Sequence, residues 1–482
     1  MKAKIQFLSD EEKKSVHTDA LRILAEVGVK FPFEPALAVL EKGGAVVDYD
    51  KQTARISEAM VDHALSKTPK TVLFGARDPD MSFELPTEET YVNLDGCGIH
   101  VYDYKSGTKR GAVLSDVADA AKVFDALPLG KLLWPPLSPE DVASGPRSII
   151  STAVTYLNSS KHVMDEVKSV DEIKYVIELS KAIAGSMEEM RKNPMYSVTY
   201  CTVSPLSHDE EMLEATMEIS KYGVPVLIYP MSATGTTGPG SLSSNIAMAI
   251  AEELSAIVLF QLNEEGCPLV FGGALAAVDL KSGQFTDGMP ETTLMLCALQ
   301  EMYEYYKMPG MMSACGTDSK KPDMQSGIEK MMTTLPLILG GGGLMQGIGM
   351  SEGSMTLSLE QMVIDHEMVR LCKRIRDGID FLQDKDFFDD IREVGPEGHF
   401  LARKNTRKSF RSSEFARIGL MERGSYEDWE AAGKPDLWEN AHKKVLEILT
   451  AEQRMPMDPN LEKTIREIME EARAILSVKD GN

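Results

Sequence analysis

The sequence predicts an α/β protein whose core is a closed (β/α)8 barrel of the TIM type, with an N-terminal helical and β extension and a C-terminal helical tail. From residue 131 onward, short apolar, β-branched or aromatic runs that end in Pro, Gly or Ser alternate with amphipathic helical stretches. Seven such runs are present: LLWPPL, HVMDEV, YSVTYCTVSPL, PVLIYPMSA, CPLVFGGAL, PGMMSACG and LMQGIGM. Alternation sustained over about 250 residues argues for a parallel sheet, and a repeat number near eight favours a closed barrel over an open doubly wound sheet. With 482 residues, 43% of them apolar, the chain has ample material for such a core.

Taken in order, residues 5–68 read as helical, with DEEKKSVHTDALRILAEVG carrying apolar residues at helical spacing and Gly28 as the stop. Two β-rich stretches follow, KTVLFGARD and ETYVNLDGCGIHVYDYKSG, and the eighth barrel strand is expected from the second, around Tyr91 to Tyr104. The helical intervals between the seven runs include GPRSIISTAVTYLNS, VDEIKYVIELSKAIAG, DEEMLEATMEISKYG, SSNIAMAIAEELSAIVLFQL and LSLEQMVIDHEMVRLCKRIRDGI. The expected organisation is an extension over 1–130, a barrel core over 131–394 and a charged helical tail over 395–482, docked by Trp429 and Trp438.

Composition excludes several functions. A formal charge of −23 disfavours nucleic acid, which demands clustered Lys and Arg. The start MKAKIQFLSDEEKK lacks an apolar signal core, and the long apolar run Ile246 to Leu262 carries Glu252 and Glu253, so neither export nor membrane insertion is expected. Six scattered cysteines without paired spacing suit a reducing compartment, and the expected location is the cytoplasm.

The stretch LGGGGLMQGIGMSEG, Leu339 to Gly353, invites a phosphate-loop reading, which its spacing denies. No three glycines fit G-x-G-x-x-G, and Ile348 stands where a Walker lysine would be. Its glycines are expected instead to let the last strand and its loop crowd the barrel mouth.

In such a barrel, chemistry sits at the carboxyl ends of the strands. Aromatic residues there are Trp134, Tyr200, Tyr229 and Phe271, with Tyr102 and Tyr104 added if the N-terminal β segment joins the mouth. Each ring taken singly reads as packing, whereas the set reads as a cage for a quaternary ammonium group. Among the histidines, His366 reads as lying on the outer face of a helix, His208 as a helix start, and His162 as the one able to reach the mouth. Metal spacing such as H-E-x-x-H or C-x-x-C is missing, as is the hydrolase motif G-x-S-x-G, so no metal is expected. The polar loop GTDSKKPDMQSG follows a strand end and reads equally as a functional loop or a solvated helix start.

Four long stretches, DYKSGTKRGAVLSDVADAAKVFDALP, TGPGSLSSNIAMAIAEELSAIVLFQLNEEGCPLVFGG, GTDSKKPDMQSG and ERGSYEDWEAAGKPDLWENAHKKVLEIL, together resemble the trimethylamine methyltransferase superfamily over nearly the whole chain. The resemblance implies a (β/α)8 methyltransferase that passes a methyl group from a methylated amine to the Co(I) centre of a separate corrinoid protein. It also implies a homo-oligomer with no tightly bound cofactor of its own. Founding members of that family carry pyrrolysine at the mouth, in a stretch that aligns loosely with 315–350, where this sequence has only standard residues. That departure points to the branch resembling demethylases of glycine betaine, proline betaine, carnitine and similar quaternary amines.

Chemistry agrees with that branch, because a quaternary ammonium leaves as a neutral tertiary amine and needs no general acid. No catalytic acid or base is therefore expected. Binding energy is better taken from the substrate's remote end than from a tight cage, since the positive charge disappears from nitrogen in the transition state. A carboxylate there could be held by backbone N–H groups, Asn93, Gln346 or Lys320, and relatives tend to place a histidine near Gln346. Two other classes remain as alternatives: a non-catalytic betaine-binding barrel and a metal-dependent barrel enzyme.

Overall fold

The computed structural model describes residues 3–379 and 387–479. Eight parallel strands form the core: β1 (Thr90–Asn93), β2 (Gly130–Leu133), β3 (His162–Asp165), β4 (Tyr196–Cys201), β5 (Val226–Tyr229), β6 (Leu269–Phe271), β7 (Met311–Ser313) and β8 (Gly343–Gln346). They pair in chain order, and β8 returns to pair with β1. The β6–β7 seam closes through the Phe271 N–H donating to the Pro309 carbonyl at 3.0 Å and the Ser313 N–H donating to the Gly273 carbonyl at 3.3 Å. All seven runs read from the sequence are strands, and the eighth is Thr90–Asn93.

Each strand is followed by a helix: α1 (Leu114–Asp125), α2 (Arg147–Asn158), α3 (Val170–Ala184), α4 (Glu210–Ile219), α5 (Leu242–Asn263), α6 (Pro290–Tyr306), α7 (Met324–Gly340) and α8 (Leu359–Asp377). Several start on side-chain caps: Asp209, Asp323 and Ser358 accept backbone N–H groups of the first turns of α4, α7 and α8. Helix α5 has the length and hydropathy of a membrane span, yet 94% of that window is buried inside the protein. Its Glu252 accepts from Thr202 Oγ1, Ser204 Oγ and the Leu206 N–H at 2.6–2.8 Å, so a charge in an apolar helix holds the loop after β4.

The N-terminal segment is less helical than its pattern suggests. Helices Asp10–Arg22, Glu34–Lys42 and Glu58–Lys67 flank a three-stranded antiparallel sheet of Val29–Lys30, Val46–Asp48 and Thr53–Arg55. A tight turn through Tyr49 to Gln52, with Gln52 at φ 55°, interrupts the helical periodicity there. A second hairpin, Val72–Phe74 with Phe83–Leu85, plugs the amino end of the barrel: its Phe74, Phe83 and Leu85 pack with Leu132, Met164 and Leu344. In the tail, Trp438 packs edge-on against Tyr102, while Trp429 donates to the Pro435 carbonyl within the tail itself.

In the glycine-rich stretch, α7 ends at Gly340 and β8 begins at Gly343. Gly347 has φ +110°, and a Cβ there would lie 2.5 Å from the Ala314 carbonyl oxygen. The N–H of Gly349 donates to Asp365 Oδ2. These glycines serve a tight exit from β8 over the mouth.

Candidate active site

Strand alternation decides which side chains enter the barrel. Tyr91, Leu132, Met164, Leu227, Val270, Met311 and Leu344 fill the lumen, and Trp134, Cys201 and Tyr229 extend this packing toward the carboxyl end. Beside them, Asn93, Gln346 and Ser313 take consecutive positions on β1, β8 and β7, as Cα partners across the ladder.

This layer holds polar atoms that the protein leaves unused. Asn93 Oδ1, Gln346 Oε1 and the Tyr229 hydroxyl are buried without a hydrogen-bond partner, and the Asn93 amide reaches only the Met311 sulfur at 3.4 Å. The Tyr229 hydroxyl lies beside Ser313. Orphaned buried polar groups each cost about 1–3 kcal/mol, so several on adjoining strand ends make this layer the candidate ligand site. Gly272 makes the space for Tyr229, since a Cβ there would fall 2.4 Å from the ring.

Trp134 lies across Gly96, where a Cβ would meet the indole at 2.2 Å, and its Nε1 donates to Asp165 Oδ1 at 3.2 Å. Asp165 also accepts from Ser148, Thr152 and the Glu166 N–H, at 3.1, 2.9 and 2.9 Å. Burial, with Glu166 adding repulsion, lifts its pKa to about 6. Just beyond β1 stands Asp95, 7% exposed, with Oδ1 unpartnered. Its charge is the main cause that holds the Cys97 thiol well above its usual range, and it reinforces burial in raising Tyr229 and in pushing Asp287 to about 7. Burial first, then Glu166, keeps the Cys201 thiol protonated as well.

Outside this layer an 850 Å³ cleft opens between the loops after β6, β7 and β8, lined by residues that include His100, Lys109, Phe285, Asp318, Lys320 and Glu352. Asp318 accepts the N–H groups of Asp287 and Gly288 and so ties two of these loops together.

Of the residues expected at the mouth, the structure brings together Asn93, Trp134, Tyr229 and Gln346. Tyr200 and Phe271 point the other way, because each shares the outward parity of its strand. Tyr200 packs edge-on against Phe260 and shares a hydrogen bond with His208 Nδ1 at 2.8 Å, whereas Phe271 packs on Tyr303 and Tyr306. Tyr102 sits on the hairpin His100–Asp103 and Thr108–Gly111, against Trp438. Its neighbour Tyr104 lies on the same excursion, with its hydroxyl toward Asp119 at 3.4 Å. Lys320 is exposed in the outer cleft.

The histidines also fall differently. His162 opens β3 at the plugged end, bonded to the Gly75 carbonyl and Ser197, and burial lowers its pKa to about 3. His366 is buried, accepting the Leu129 N–H at 3.3 Å. Sequence reasoning passed over Asp95, Ser313 and Asp287; NLDGCG directly after a strand was the available signal for the first.

The family model for trimethylamine methyltransferase (MTTB) matches residues 1–476. A trimethylamine methyltransferase MttB of Desulfitobacterium hafniense is 29% identical over 464 residues, covering 96% of this chain and 93% of that protein. A glycine betaine methyltransferase of Desulfitobacterium hafniense is 28% identical over 461 residues, covering 95% of each chain. Among solved structures, the monomethylamine methyltransferase MtmB of Methanosarcina barkeri aligns with a TM-score of 0.49 at 10% identity, covering 92% of this chain and 95% of that one. The chain belongs to the trimethylamine methyltransferase (MTTB) family and is, by that membership, an enzyme that transfers methyl groups.

Proposed function

We propose that the protein is a cytoplasmic, homo-oligomeric methyltransferase that takes a methyl group from a carboxylate-bearing quaternary amine such as glycine betaine, proline betaine or carnitine. The acceptor is the Co(I) corrinoid of a separate partner protein, which supplies the nucleophile when it docks at the mouth. The observation that carries the reading is the polar strip of Asn93, Gln346, Ser313 and Tyr229, in which the buried amide oxygens of Asn93 and Gln346 and the Tyr229 hydroxyl have unused hydrogen-bonding capacity. A half-turn of an amide exchanges its oxygen and nitrogen, so Asn93 and Gln346 can offer donors to a carboxylate.

In this reading the methyl group leaves nitrogen without the bonding pair, which remains as the lone pair of a neutral tertiary amine. No proton is transferred, and Asp165, occupied by four hydrogen bonds, is not asked to supply one. Orientation is the protein's contribution, with the carboxylate end fixed by the strip so that a methyl faces the open mouth. The raised pKa values of Cys97 and Cys201 keep both thiols protonated, so they do not compete for the methyl group.

The test is to incubate the protein with Co(I) cobalamin and each of glycine betaine, carnitine and trimethylamine, following loss of the Co(I) absorbance. At least one carboxylate-bearing quaternary amine should react, and trimethylamine should not. Trimethylamine reacting as well as the best betaine would overturn the assignment.

A further inference from the structure

The polar strip accounts for one end of a zwitterion and leaves the cation without a partner. Of the four rings expected as a cage only Trp134 and Tyr229 reach the mouth, since Tyr200 and Phe271 face the helices, and two rings do not enclose a cation. What the mouth offers is carboxylate. Asp95 lies on the loop after β1, and its charge bears on Cys97 of the same loop, Cys201 at the end of β4, Tyr229 at the end of β5 and Asp287 beyond β6. Asp95 follows Tyr91 and Asn93 at the same alternation along β1, the parity that faces the barrel interior. Its side chain is more than nine-tenths buried, its Oδ1 has no hydrogen-bond partner, and no lysine, arginine or histidine among the described residues forms an ion pair with it.

A buried carboxylate oxygen without a partner is costly in the empty protein, and the second carboxyl group nearby, Asp287, adds to that cost. Other buried acids are supplied with donors. Asp365 takes Lys330, Gln361 and the Gly349 N–H, and Glu252 takes three donors. Glu253 on α5 also buries both oxygens without a partner, whereas Asp95 stands just beyond the carboxyl end of β1, in the loop that follows Asn93 of the strip.

We propose that the Asp95 carboxylate is the counter-charge that seats the substrate's ammonium group, making it the specificity residue for cation over neutral ligand. The inference rests on the zwitterion reading given above. It fixes the substrate's direction, with the ammonium under Asp95 and the carboxylate toward Gln346 and Asn93. Because the positive charge is lost from nitrogen during methyl transfer, Asp95 stabilises the bound substrate more than the transition state. Its removal therefore raises KM without lowering kcat.

The test uses glycine betaine, its isostere 3,3-dimethylbutanoate, in which an uncharged carbon replaces the cationic nitrogen, and trimethylammonium, each titrated calorimetrically into the wild type, Asp95→Asn and Gln346→Ala. The wild type should bind the betaine at least about tenfold tighter than the isostere. Asp95→Asn should erase most of that preference by weakening the betaine alone, whereas Gln346→Ala should weaken both ligands alike. The melting temperature supplies a second readout: Asp95→Asn should melt at or above the wild type, since it relieves an unpartnered charge.

Retention of the preference in Asp95→Asn, or a fall in its melting temperature, would overturn the role for Asp95. If Gln346→Ala still weakened both ligands, the zwitterion reading would stand. Binding of trimethylammonium but of neither carboxylate ligand, lost in Asp95→Asn, would keep Asp95 as the counter-charge and sink the betaine reading. A wild type that binds none of the three overturns both.

Discussion

Asn93 and Gln346 are Cα partners across the β8–β1 seam, and each buries an amide oxygen that no donor reaches. Such a pair gains its partners when a ligand arrives. Contacts to the remote end of a substrate are made equally in ground and transition states, so losing one raises KM and spares kcat. Gln346→Ala is expected to weaken binding by about 0.5–1.5 kcal/mol, or up to about 3 if its partner is charged. Steady-state kinetics with the best substrate checks this, and an unchanged KM would remove Gln346 from the site.

Tyr229 and Tyr200 provide a matched pair on neighbouring strands, one facing the mouth and one facing the helices. Tyr229→Phe removes a hydroxyl that has no partner in the empty protein, so it should impair substrate binding and leave the melting temperature unchanged. Tyr200→Phe breaks the bond to His208 and should cost about 0.5–1.5 kcal/mol of stability with unchanged kinetics. Phe271→Ala should cost about 3–5 kcal/mol of stability, again as a packing residue. Chemical denaturation alongside kinetics separates these outcomes, and a kinetic defect confined to Tyr200→Phe would reverse the assignment.

The contrast between these tyrosines shows what the sequence could convey. Runs such as YSVTYCTVSPL and PVLIYPMSA place their strands, because apolar content and breakers are local properties. Which residue of a fully buried run faces inward depends on register against neighbours, and both faces of a parallel barrel strand are apolar. Tyr200 and Phe271 were misdirected for that reason, whereas Tyr229, Gln346 and Asn93 happened to carry the inward parity. Asp95 was harder still, since an acidic residue after a strand reads as solvated until the structure shows it buried. The short N-terminal sheet was hidden because strands of two or three residues carry too little pattern to outweigh flanking helices.

Two glycines, Gly343 at the start of β8 and Gly347 just after it, separate backbone strain from close approach. Both Gly343 and Gly347 have positive φ, +95° and +110°, yet a Cβ on Gly343 meets nothing within 4 Å, whereas one on Gly347 lies 2.5 Å from the Ala314 carbonyl oxygen. Gly343→Ala should destabilise by about 1 kcal/mol from conformation alone. Gly347→Ala should lose more than this and weaken substrate binding, because the carbonyl that must yield belongs to the loop after β7. Equal losses for the two would show that the contact at Ala314 relaxes freely.

Lys330 and Asp365, each 1% exposed and 2.9 Å apart, clamp α7 to α8 beneath the mouth. Asp365 also holds the Gly349 N–H, and Lys330 donates to the Cys315 carbonyl at 2.7 Å, so the pair anchors the loops after β7 and β8. Removing one partner strands the other charge, and Lys330→Met or Asp365→Leu should each cost about 3–5 kcal/mol. The double variant should cost less than the two singles added together. Simple additivity in a double-mutant cycle would show the two residues to act independently.

Asp287 gives the mouth a dependence on pH whose sign can be worked out. Burial is the main cause of its rise from 3.8 to about 7, reinforced by Asp95 on the β1 loop and Asp318 on the β7 loop; Lys330 on α7 and a hydrogen bond from Ser354 on the β8 loop oppose it. Between those two values the folded protein holds a proton that the unfolded chain has released. This group's contribution to stability is therefore fully present below the unfolded value and is lost as pH rises through about 7. A cationic ligand favours the ionised carboxylate, so its affinity should move in the opposite sense, strengthening as pH rises through that value and releasing a proton on binding. Calorimetric titration of glycine betaine one pH unit either side of the midpoint, in buffers of different ionisation enthalpy, measures both effects. Asp287→Asn should flatten the pH profile and abolish the proton release, while affinity in the wild type that stays level or falls with pH would place the ligand's charge away from Asp287.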